Sequence, residues 1–66
     1  MTKTVTAVYQ SWLPVENAYN DLIGKGIPRE KIVTHAANNQ IDVIVPEESE
    51  PEIREILERH APTSIS

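Results

Sequence analysis

The chain has 66 residues, 39% of them hydrophobic, with six basic side chains, ten acidic ones and no cysteine. At this length a single small domain over residues 1–66 is the ceiling, and without Cys there can be no disulfide, iron–sulfur cluster or thiolate zinc site. A net charge of −4 and a pI near 5.0 argue against a nucleic-acid or anionic-membrane surface, which needs a basic stripe. The short apolar runs leave no membrane span or signal-peptide core, so a soluble cytoplasmic protein is the expectation.

Thr2 to Gln10 alternates, with Val5, Ala7 and Tyr9 on one side and Thr4, Thr6 and Val8 on the other. That spacing predicts a strand with one face more buried. Ser11 is placed to cap a helix, with Pro14 tolerated in its first turn. Val15, Ala18, Tyr19, Leu22 and Ile23 then fall on one helical face. Gly24 and Gly26 supply the stop, and Pro28 forbids continuation. Lys31 to Ala36 reads as a short second strand, followed by a tight turn through Ala37-Asn38-Asn39-Gln40, where Asn tolerates positive φ. Ile41 to Val45 is the third strand, ended by Pro46. Ser49-Glu50-Pro51-Glu52 has the form of a capping box with Pro in the first turn, and Ile53, Ile56 and Leu57 form the apolar stripe behind it. Glu50–Arg54 and Glu55–Arg59 are i, i+4 pairs in the favourable orientation. His60 sits where the helix dipole favours a cation. Pro62 ends the helix, and Thr63 to Ser66 can add an edge strand.

The order is β-α-β-β-α with a final short β. One antiparallel sheet with two antiparallel helices on one face is the economical packing. Right-handed crossovers lead to a ferredoxin-like α+β two-layer sandwich with the first and third strands central.

Thr4-Val5-Thr6-Ala7-Val8-Tyr9 with Ser11, Leu22 through Gly26-Ile27-Pro28, Ile32-Val33 and the ending Ile56-Leu57-Glu58-Arg59-His60 resemble the small bacterial heat-induced or general stress protein domain. The resemblance implies a soluble bacterial protein linked to stress, with no catalytic residues to carry over. Members often place Gly after the equivalent of His60, where this chain has Ala61-Pro62.

His35 has the parity opposite to Ile32, and Asp42 the parity opposite to Ile41 and Val43, so both are expected on the open face. There they can form a pH-sensitive pair or a plain solvent-exposed one. Nothing in the spacing brings His60 beside His35, so no metal site is expected. Trp12 and Leu13, in the connection from the first strand to the first helix, are the candidate ligand or partner contact. An indole is a good interface anchor, and the alternative is a plug over the end of the core. Gly24-Lys25-Gly26 follows a helix rather than preceding one, so it is a helix stop and not a phosphate loop. The open-face set Thr4, Thr6, Val8, Asp42 and Ile44 has no aromatic on which RNA bases would stack. Gln10-Ser11-Trp12-Leu13 lacks the two cysteines of the heavy-metal-chaperone form of this fold. Ser11 has no visible base partner, and no carboxylate pair is set up for acid–base work.

The expected function is therefore a non-enzymatic interaction or regulatory module with no cofactor, metal or catalytic residue. It would pair as a homodimer, or with a protein partner, through Thr6, Val8, His35, Asp42 and Ile44, with Val33 and Thr4 alongside. The alternative is a small-molecule sensor similar to ACT-like regulatory domains, which share the element order, with its ligand near Trp12 and Leu13.

Overall fold

The structure is a computed structural model that describes all 66 residues. Strand β1 (Thr2–Val8) leads to helix α1 (Trp12–Lys25), strand β2 (Ile32–His35), strand β3 (Gln40–Pro46), helix α2 (Glu50–Glu58) and a two-residue strand β4 (Ser64–Ile65). The four strands form one antiparallel sheet in the order β2-β3-β1-β4, with β1 and β3 central. Thirteen residues are buried, all apolar or aromatic, and they form one cluster. Val5, Ala7 and Tyr9 come from the first strand and its extension, and Ile32, Ile41, Val43 and Val45 from β2 and β3. Val15, Ala18 and Leu22 of α1 and Ile53, Ile56 and Leu57 of α2 meet them. All the buried strand residues share one parity, so both helices cover the same face and the other face is left open. The chain is thus an α+β fold with four antiparallel strands and two helices.

The helices run antiparallel. Lys25 Nζ at the end of α1 lies 2.9 Å from Glu52 Oε1 at the start of α2, while Asp21, one turn earlier, meets His60 beyond the end of α2. The apolar stripe of α1 is narrower than the periodicity implies, because Ile23 is 37% exposed and Tyr19 only half-buried. On a helix, positions 19 and 23 lie to one side of the arc through 15, 18 and 22, so the sheet covers the centre of the stripe and not its flank.

Neither expected serine cap forms. Ser11 stands at the N-cap with extended backbone (φ −147°), but the third helical position is Pro14, which has no N–H to donate. Ser49 is itself helical (φ −91°, ψ −8°), because a 3₁₀ turn over Glu47–Ser49 runs straight into α2. An N-cap needs extended backbone to aim its hydroxyl back at the helix. Gly26 (φ 103°) alone ends α1, donating to the Ile23 carbonyl, and Gly24 lies inside the helix. The β2–β3 turn is a 3₁₀ turn over Ala36–Asn38 closed by Asn39 at φ 51°. Strand β2 is shorter than expected at both ends, because 3₁₀ turns at Arg29–Lys31 and Ala36–Asn38 take Lys31 and Ala36.

Candidate functional site

The antiparallel registers line up the open face in rows. His35 pairs with Gln40, Gln40 with Val8 and Val8 with Ser64. One step along, Val33 pairs with Asp42 and Asp42 with Thr6, and Ser66 exchanges two backbone hydrogen bonds with Thr6 at 2.8 and 2.9 Å. Beyond these, Ile44 lies opposite Thr4. Val33 is 42% exposed, while Val8 and Ile44 are half-buried among their neighbours. Thr6, Val8, His35, Asp42 and Ile44 therefore share one surface that no element of the fold covers.

Asp42 is the polar centre of that surface. It lies diagonal to His35, whose Nε2 is 3.0 Å from Asp42 Oδ2. A carboxylate can only accept, so this ring nitrogen carries the proton. Gln40 Nε2 donates to Oδ1 at 3.0 Å, and Thr6 is paired directly opposite on β1. Desolvation pushes the Asp42 carboxyl up. The hydrogen bonds from Gln40 and His35, the Thr6 hydroxyl on the facing strand and the His35 charge outweigh it and hold the group below its ordinary value. Gln40 went unrecognised in the sequence, although its place two residues before Asp42 puts both on one face of a strand.

Trp12 is the first residue of α1 and not part of a connecting loop. It packs half-buried against the core and, with Val15, Glu16, Tyr19, Ile32 and Thr34, lines an open groove of about 430 Å³ between α1 and β2. It is neither a full plug nor a free anchor. Leu13 points away from this groove's lining set and is 64% exposed. A second, more polar groove of about 650 Å³ runs between the helices beside Asp21, Lys25, Glu52, Glu55 and Arg59. His60 closes one end of the helix pair, with Nε2 2.7 Å from Asp21 Oδ2. That partner is 39 residues away, and no local signal marks it. No group of three or more His, Asp or Glu side chains is gathered closely enough to hold a metal ion, and no helix is long and apolar enough to cross a membrane.

No protein-family model, curated protein or solved structure matches the chain.

Proposed function

We propose that this chain is a ferredoxin-like, non-enzymatic interaction module that self-associates through the open face of its sheet. The setting implied by its resemblance to the small stress protein domain is a bacterial stress response. The observation that carries this reading is the composition of the uncovered face. Val8, Val33 and Ile44 lie there among threonines and serines, and of the chain's ten acids only Asp42 is present, held by its neighbours. The remaining acids lie on the helices and the turns. Two copies that meet sheet to sheet bring their neutral surfaces together and keep their acidic helices apart. A chain this small also gains proportionally more from further apolar burial than a large one.

Sedimentation at micromolar concentration tests the reading. The wild-type chain is expected to be a dimer, with Val8→Glu and Ile44→Glu yielding monomers of unchanged circular dichroism. In a two-fold interface each substitution counts twice, and an unpaired buried carboxylate costs roughly 3–5 kcal/mol. A wild-type monomer, or a dimer that survives both substitutions, overturns the proposal.

A further inference from the structure

The groove between α1 and β2 lies on the covered side of the sheet, away from the proposed self-association face, and its chemistry is different. The chain has three aromatic residues, one Trp and two Tyr. Two of them, Trp12 and Tyr19, line this groove half-buried. They are seven residues apart on one flank of α1, about 10 Å along the axis, and Glu16 stands between them as the only charged residue of the lining. Two half-buried aromatic rings and one exposed carboxylate around a single groove suit an organic cation, since aromatic rings attract cations to their faces and Glu16 supplies a full charge.

The floor of the groove indicates how such a cation would arrive. Ile32 and Thr34 belong to β2, which pairs with β3 on one side and has no strand on the other. Along Ile32–His35 this edge carries no lysine, proline or bulge, three of the devices that ordinarily block one, so its four residues form a short stretch open to pairing. A segment hydrogen-bonded along that edge would turn every second side chain toward the helix layer, in the rows of Ile32 and Thr34, and so into the groove. We propose that this groove and edge together bind an extended, basic segment of a partner protein. The segment would add a strand to β2 and place a lysine or arginine side chain between Trp12, Glu16 and Tyr19. The interaction leaves the open sheet face free, so it is compatible with self-association and independent of it.

Trp12 is the sole tryptophan, so its fluorescence reads out the groove directly. The probes are two blocked peptides, Val-Lys-Val-Lys-Val-Thr and its counterpart with Glu at both Lys positions. The lysine peptide is expected to change the fluorescence saturably and to shift the backbone amide resonances of Ile32–His35, while the glutamate peptide does neither. Glu16→Gln, at an exposed position, is expected to weaken the lysine peptide about twofold to fivefold. Tyr19→Leu should weaken it similarly, and Tyr19→Phe should not. Four outcomes overturn the proposal: no response to the lysine peptide, equal responses to both peptides, indifference to Glu16→Gln, or a fluorescence change without shifts along Ile32–His35. The last would mean that a free cation enters the groove with no strand added.

Discussion

Tyr9 carries more consequence than its position just past β1 implies. Its parity with Val5 and Ala7 places it in the core, where it is 2% exposed. A buried phenol needs a partner, and Tyr9 Oη donates to the Leu57 carbonyl at 2.7 Å, tying the end of β1 to the end of α2. The burial was legible from the alternation of the strand. The partner, 48 residues away, was not, because it depends on which helix end comes to rest above the strand. Burial raises the phenol from the usual 10.0 to about 12. A folded pKa above the unfolded one contributes stability that is complete below pH 10 and is lost as pH rises through 12. Tyr9→Phe removes the hydroxyl and is expected to cost about 1 kcal/mol at neutral pH. Between pH 10 and pH 12 the wild type should lose about 2 kcal/mol more than the variant. Urea unfolding of both proteins across that range checks this, and parallel curves would contradict it.

At the scale of elements, the helix and strand bodies could be read from periodicity, and their ends could not. The apolar spacing of α2 and the alternation of β3 are repeated several times, so one ambiguous residue does not change them. An end rests on a single backbone conformation, and here the neighbours override the expected one: Pro14 removes the donor for Ser11, and a 3₁₀ turn draws Ser49 into helical backbone. The exit from α2 is the costliest of these ends. Ala61 adopts φ 56°, a left-handed conformation that costs a residue with a Cβ about 1–2 kcal/mol. Ala61→Gly should relieve that strain while adding some freedom to the unfolded chain. The expected net gain is about 0.5–1 kcal/mol, a rise in Tm of roughly 3–6 °C for a chain of this size. Calorimetry showing a lower Tm would mean that the turn tolerates alanine at no cost. His60, one residue earlier, shows the same limit of local reading: its position at the helix end was legible, but its contact with Asp21 arises only when the two helices pack.

For the whole molecule, strand order followed from element order and the handedness of crossovers, since few arrangements place both helices on one face. Grooves and charge distribution depend on where distant elements meet, so Glu16 and Tyr19 gained their setting only from the packed structure. Charge distribution also yields a test that separates apolar association from ionic pairing. Each copy carries −4, so two copies repel wherever they meet. In a dimer formed through the open face, Asp42 is the only acid of either copy within the contact, and the helix acids oppose each other at long range across solvent. Interactions of that kind are screened over about 10 Å at 0.1 M salt, while apolar burial is not weakened by salt. Association is therefore expected to tighten as sodium chloride rises from about 10 mM to about 300 mM. A dimer held instead by ion pairs between the basic and acidic side chains of the helices, such as Lys25 and Arg59 against Glu52 and Glu55, would loosen over the same range. Sedimentation equilibrium at both ends of the salt range decides between the two, and a dimer that loosens would move the interface from the sheet to the helices.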